Sequence, residues 1–332
     1  MELINIYPKY NSILLVGTYP PPLGGVSIYL KRLKCLLSNN GYQISAFNMT
    51  QQQLFRGHNI IRFLTMTLFH HFNVIHVHGY PFRLLKIIMI LRKLKKFQLY
   101  ITDHNPRLFE ENKDIRKRIN FYKKIIPRLD YLIVVGSIIL QEYSKYGVIL
   151  PKKVLVQPAF IPPKLEEEKD ILKTYPKKLF NFLEIHKPII ISNAFRIVFY
   201  NRVDLYGLDM CIELTVRLKQ KFPNIGFFFA LADETNNIEY LNIMKKRIIE
   251  LRIEDNFYFI TGQREIWPLF KRVNLMIRPT YSDGYGSSIA EALYFGCPVV
   301  ASDVCSRTDG TVLFKNRDLE DLLSKVLRTL KK

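Results

Sequence analysis

The sequence predicts an α/β fold made of two doubly wound domains, on three observations. Short runs that are apolar on both faces, at 12–17, 131–135 and 275–277, recur between amphipathic stretches, the pattern of buried parallel strands separated by helices. Twice, such a strand enters a glycine-bearing polar loop and then a helix, at Gly24 and Gly25 and again at Gly284 and Gly286. The length, 332 residues, is long for one hydrophobic core and suits two.

Composition narrows the class. Apolar residues make up 48% and aromatics 13%, which excludes a disordered chain. The net charge of +20 favours nucleic acid, an anionic membrane surface or an anionic substrate. No zinc-finger spacing, aromatic RNA-binding motif or basic heptad region is present, so no nucleic-acid partner is expected. Cys35, Cys211, Cys297 and Cys305 are scattered, with neither a C-x-x-C pair nor metal-ligand spacing, which suggests reduced thiols in the cytoplasm. The start, MELINIYPKYNSILLVG, lacks the basic-then-apolar build of a signal peptide, and no uncharged apolar run is long enough for a membrane span.

Residues 1–160 read as the first domain. The strand at 12–17 runs into a loop with three prolines and two glycines, and a helix follows over 27–37 with Ile28, Leu30, Leu33 and Leu37 near helical spacing. A strand, a Gly-Gly turn and a helix amino end make an anion-binding arrangement, so Gly24 and Gly25 are candidate ligand contacts. A second strand is expected at 44–47, a loop and helix over 51–72, and a third strand over 73–79. His76 and His78 alternate with apolar residues there and point to one face. The pair suits a structural strand end, or for His78 a ligand-facing position, and no third metal ligand lies nearby. The stretch 82–97, FRLLKIIMILRKLKKF, is either a sheet-covering helix with a basic tail or a surface for anionic lipid, and the basic run 116–124 adds to the second reading. A strand at 97–101 delivers Thr102, Asp103, His104, Asn105 and Pro106 to the carboxyl end of a parallel sheet, the side on which such sheets bind ligands. Strands at 131–135 and 154–156 complete this domain.

Residues 161–190 read as a linker and helical connector, because prolines and then a Lys/Glu run break all periodicity after 158. The second domain, 191–332, opens with a strand at 195–200, FRIVFY, then Arg202 and an amphipathic helix to 222. A strand at 225–231, a helix at 238–251 and a strand at 257–260 lead to Arg264, and a strand at 310–314 with a helix over 318–330 closes the chain. Between them lies LMIRPTYSDGYGSSIAEALYFGCPVVASDV, residues 275–304, a βαβ unit. Gly284 and Gly286 let backbone approach a ligand closely, and Ser287 and Ser288 open a helix whose free N–H groups and dipole favour a phosphate. Asp283 precedes the glycines, and Glu291, eight residues on, returns to the same rim, where a carboxylate is costly unless something polar such as ribose hydroxyls meets it.

That block resembles the retaining GT-B glycosyltransferases of the family 4 type: carboxylate, Gly, aromatic, Gly, a Glu eight positions after the first carboxylate, then EAL-x-x-G-x-PVVAS. The resemblance implies two Rossmann-like domains facing across a cleft, the first binding the acceptor and the second a nucleotide-diphosphate sugar donor. It implies diphosphate contacts from Gly24, Gly25, Arg202, Gly286, Ser287 and Ser288, ribose contacts from Glu291, Arg264 beside the base, and His104 and Asp283 near the transferred sugar. It also implies retention of configuration and a metal-independent reaction without a cofactor. The chain departs from the family by Asp283 in place of Glu and Tyr206 in place of a Lys, which leaves Arg264 as candidate for the missing cation. The expected partner is a saccharide or lipid-linked acceptor for a cell-surface polysaccharide, met at the inner membrane face. A nucleotide-sugar epimerase of the same fold and an inactive sugar-nucleotide-binding scaffold are the alternative readings.

Overall fold

The computed structural model describes residues 2–9, 11–49, 57–105 and 115–331, so the loop expected over 51–56 and Pro106 lie outside the described residues. The chain divides into two compact units, Met1–Ile161 and Pro162–Lys332. Each is built on a six-stranded parallel sheet with helices, a Rossmann-like layout.

In the first unit the strands are β1 (Ser12–Gly17), β2 (Gln43–Asn48), β3 (Val74–His78), β4 (Gln98–Asp103), β5 (Tyr131–Val134) and β6 (Val154–Val156), in the order β2-β1-β3-β4-β5-β6. Ile13, Leu14, Leu15 and Val16 are all fully buried, which is why β1 reads as an unbroken apolar run rather than an alternating one. The order reverses between β1 and β3, so the loops leaving these two strands diverge and open the crevice where such sheets take ligands. The basic helix covers Phe82–Leu94, shorter than the 82–97 expected, because the backbone turns extended at Lys95. No helix among the described residues is long and apolar enough to cross a membrane.

The second unit contains β7 (Ile189–Arg196), β8 (Phe199–Tyr200), β9 (Val203–Asp204), β10 (Gly226–Asp233), β11 (Phe257–Thr261), β12 (Leu275–Arg278), β13 (Val299–Ser302) and β14 (Val312–Phe314). Its parallel sheet runs β11-β10-β7-β12-β13-β14, with β8 and β9 a separate antiparallel hairpin. Side chains alternate between two cores as the pleat demands. Ile190, Phe227 and Phe229 join one, whereas Ile189, Ile191 and Phe228 join the other.

The strand expected over 195–200 is displaced: the sheet strand is β7, ending at Arg196, and Phe199–Tyr200 is one arm of the hairpin. Ser192 and Asn193 interrupt the apolar run that would have marked β7, and Asn193 is accommodated there because its backbone and side-chain oxygens accept from Arg278 Nη1 at 2.9 and 3.2 Å. Residues 168–173 and 177–185, read as connector, are helices of this unit, and Phe182 packs its ring 4.9 Å from that of Phe228.

Candidate functional site

The strand order of the second unit reverses between β7 and β12. The chain leaving β7 forms the β8–β9 hairpin, and the chain leaving β12 forms the loop 279–286. The two run side by side, with the Tyr281 amide donating to the Leu205 carbonyl at 2.9 Å and the Tyr200 and Tyr281 rings 6.0 Å apart. Both loops therefore emerge at the switch point, where ligands of open α/β sheets bind.

Two helices begin here, and their amino ends differ. The helix Leu208–Lys219 is closed by Asp204, whose carboxylate accepts from the amides of Tyr206, Gly207 and Leu208 at 3.0, 3.3 and 2.9 Å. The helix Ser287–Tyr294 has no side-chain cap. Gly286 stands before it at φ +80°, a conformation that favours glycine, and the Ser288 hydroxyl is buried without a partner. First-turn amides have no intrahelical acceptor, so this end offers N–H groups and the positive pole of the helix dipole to an anion.

The loop in front of that helix is held by a buried ion cluster. Asp283 meets Arg307 Nη1 at 2.9 Å and Arg278 Nε at 3.3 Å, and its other oxygen accepts from the Gly284 amide at 2.9 Å. The Arg307 side chain is 2% exposed and that of Arg278 10%. Burial alone would raise the Asp283 pKa, but the charges of Arg278 and Arg307 outweigh it and hold the carboxyl at about 2. Arg307 also donates to the Ser302 carbonyl and hydroxyl, the Thr280 hydroxyl and the Tyr285 carbonyl, so it ties the loop to the end of β13. A Cβ at Gly286 would stand 2.9 Å from Arg307 Nη1 and 2.9 Å from Ile289 Cδ1. Shape and charge thus select the same glycine.

Glu291 is half-buried on the helix Ser287–Tyr294, and its charge, with that of Arg264, reaches Tyr175. Arg264 donates to the Thr174 carbonyl at 2.8 Å and stands over the Tyr175 ring at 5.4 Å. Arg264, Thr174 and Tyr175 border a cavity of about 230 Å³ that Tyr258 and Ile260 also line. Arg202 sits apart from them, exposed at the tip of the hairpin, where it and Asn201 adopt φ +64° and +49° in a two-residue turn. At the position where the sequence lacks a Lys, Arg278 lies over the Tyr206 ring at 5.2 Å.

In the first unit, Gly24 directly precedes the helix Gly25–Asn39, and its amide is already bonded within the turn to Ser27 Oγ at 2.8 Å. His76 is satisfied on both ring nitrogens, by the Tyr7 hydroxyl at 2.6 Å and the Thr102 hydroxyl at 2.7 Å, which makes it structural. His78 lies on the same face, as the alternation predicted, with its ring 4.3 Å from that of His76. It bonds through Nδ1 to His104 Nε2 at 3.1 Å. Among the described residues no group of three His, Cys, Asp or Glu has metal-binding geometry. Burial lowers the His104 pKa to about 4. Asp103 beside it is pushed up to about 6 by burial, against the hydrogen bonds it accepts from Tyr143 and Asn105.

The structure thus brings Asp283, Gly286, Ser287 and Ser288 together, places Glu291 on the same helix, and joins His104 to His78. Sequence reasoning missed Arg278 and Arg307. Arg278 ends a strand read as apolar, and nothing local links Arg307 to a carboxylate 24 positions earlier.

Residues 182–328 match the family model of glycosyl transferases group 1. The lipopolysaccharide glucosyltransferase WaaG of Escherichia coli (strain K12) is 25% identical over 132 residues, 36% of this chain and 34% of that protein. The lipopolysaccharide core biosynthesis mannosyltransferase LpsB of Rhizobium meliloti (strain 1021) is 24% identical over 98 residues, 30% of this chain and 28% of that one. The matched stretch therefore spans about a third of the length of these curated relatives. Among solved structures, sucrose-phosphate synthase from Thermosynechococcus elongatus superposes with a TM-score of 0.71 at 17% identity, covering 97% of this chain and 90% of that one. Anabaena Alr3699/HepE in complex with UDP and glucose does so with a TM-score of 0.71 at 14% identity and the same coverage. At these identities the likeness is one of fold.

Proposed function

Through its residues 182–328 the chain belongs to the group 1 glycosyl transferases, and from that premise we propose that it moves a sugar from a nucleotide-diphosphate donor to a saccharide acceptor. The observation that carries this reading is the uncapped amino end of the helix Ser287–Tyr294, with Gly286 held at positive φ by a buried Asp–Arg cluster. The amides of Gly286, Ser287 and Ser288 take the diphosphate oxygens, and Glu291 takes the ribose hydroxyls. The base enters the cavity beside Tyr175 and Arg264. Arg202 closes on the leaving phosphate from its hairpin, bringing a guanidinium fork and a permanent charge.

In the transfer, the bond from the sugar's anomeric carbon to the phosphate oxygen breaks and a bond to an acceptor hydroxyl oxygen forms. The acceptor proton leaves on the diphosphate. Negative charge grows on the leaving group, and preorganised donors aimed at it commonly contribute several kcal/mol. Attack on the face the phosphate leaves, with retained configuration, follows from the family resemblance.

We place the reaction in lipopolysaccharide or related cell-surface polysaccharide synthesis, with a lipid-linked acceptor at the cytoplasmic membrane face. The names of the two curated relatives support this. So does a surface of the first unit where the helices Gly57–Phe69 and Phe82–Leu94 end together, joined by Lys95 Nζ on the Thr67 carbonyl at 2.8 Å. Phe69 is 83% exposed and Leu94 73%, with Arg92, Lys93 and Lys96 beside them. Apolar side chains set among cations match an anionic lipid interface.

The test is thermal stabilisation by a panel of UDP- and GDP-sugars, followed by product analysis with and without acceptor. A glycosyltransferase releases nucleoside diphosphate and extends the acceptor. Conversion of the free nucleotide sugar into its epimer would establish the epimerase instead, and binding without turnover the scaffold.

A further inference from the structure

The histidine pair at the carboxyl ends of β3 and β4 carries an inference about how His104 meets its ligand. His78 is 5% exposed, and its Nδ1 lies 3.1 Å from His104 Nε2, with the ring centres 5.4 Å apart and the ring planes 25° from parallel, so the rings meet edge to edge. Burial lowers the pKa of both, so each ring is neutral and carries one proton. One proton therefore lies between the rings, and its owner decides what each ring shows on its far side.

If His104 owned it, His78 would hold its own proton on Nε2, which is buried and has no partner. A buried N–H with no acceptor is the rarer defect and carries the full desolvation cost of a donor. If His78 owns it, the buried Nε2 is a bare lone pair and His104 carries its proton on Nδ1. The neighbours do not reverse this choice. His76 is committed to Tyr7 and Thr102, the Tyr29 ring packs edge-on to His104 at 5.3 Å, and Asp103 is engaged by Tyr143 and Asn105. His104 Nδ1 has no partner among the described residues.

We propose that His78 is a positioning residue that donates from Nδ1 to His104 Nε2, so that His104 presents an N–H donor at Nδ1 to its ligand. His104 then selects an oxygen lone pair, a sugar hydroxyl or a phosphate oxygen, and does not act as the base for the acceptor. The assignment rests on the reading of His104 as a ligand-facing residue.

Multiple-bond proton–nitrogen spectra of the full ¹⁵N-labelled chain test it, because they show which ring nitrogen carries the proton; His104→Ala assigns the signal. The expected result is His104 protonated on Nδ1 in the wild type. In His78→Ala it turns to the Nε2–H form usual for free imidazole, and in His78→Gln, which keeps a side-chain N–H donor, it returns toward Nδ1–H. A wild-type His104 protonated on Nε2 overturns the proposal without any variant, as does a tautomer unchanged in His78→Ala. Added donor sugar and acceptor should then move the Nδ1 signal. If they leave it untouched while the tautomer is as stated, the placement of His104 in the sugar site fails and the proton assignment stands.

Discussion

Asp283→Asn removes the charge from a carboxylate that two arginines share while keeping its size. The partners are almost out of water, with the Arg307 side chain 2% exposed and that of Arg278 10%. Removing one member of a buried ion cluster typically costs about 3–5 kcal/mol, because it leaves uncompensated charge inside. Proton linkage gives an independent magnitude. A carboxyl lowered from 3.8 to about 2 contributes about 2.5 kcal/mol at neutral pH, at roughly 1.4 kcal/mol per unit. The folded pKa is the lower one, so this stabilisation is full above about pH 4 and is lost as pH falls through about 2. Urea unfolding of wild type and Asp283→Asn between pH 7 and pH 3 reads both quantities. We expect a gap of about 3 kcal/mol at pH 7 that narrows below pH 4. A gap under about 1 kcal/mol, or one that ignores pH, would refute the cluster as the element that holds the loop.

Gly286→Ala forces a side chain onto positive φ and into Arg307 and Ile289, and should cost about 1–3 kcal/mol in urea unfolding and weaken nucleotide binding together. Arg202→Ala, at an exposed hairpin tip, should leave the melting temperature within a degree or so while kcat/KM falls roughly 10²-fold or more, since its contact forms with the leaving group. Phe69→Ala with Leu94→Ala should reduce flotation with vesicles containing anionic lipid, and the remaining binding should weaken further at high salt; equal flotation with neutral vesicles would remove the preference for anionic lipid, and no flotation of the wild type would remove the membrane assignment.

Much of the fold is legible in the sequence because parallel strands buried on both faces appear as unbroken apolar runs, as β1 and β5 do. β7 was misplaced because Ser192 and Asn193 sit inside it, and the Arg278 that bonds to Asn193 comes 85 residues later. The glycines and serines of the loop 284–288 were legible since only local backbone geometry is at stake. The Arg–Asp–Arg cluster was not, because side chains assemble it from the ends of β12 and β13. The place of His104 after a parallel strand marks it as a candidate, whereas His78 stays between two readings in the sequence, since strand alternation gives a shared face and not a register with β4.

The central claim is that a diphosphate sits on the amino end of the helix Ser287–Tyr294. Backbone amide spectra of the labelled chain, titrated with a nucleoside diphosphate and separately with the nucleoside alone, address it most directly. The claim predicts large downfield shifts at Gly286, Ser287 and Ser288 with the diphosphate and little there with the nucleoside, because only the phosphates accept from these N–H groups. A diphosphate that binds while those three amides stay where they were would contradict it.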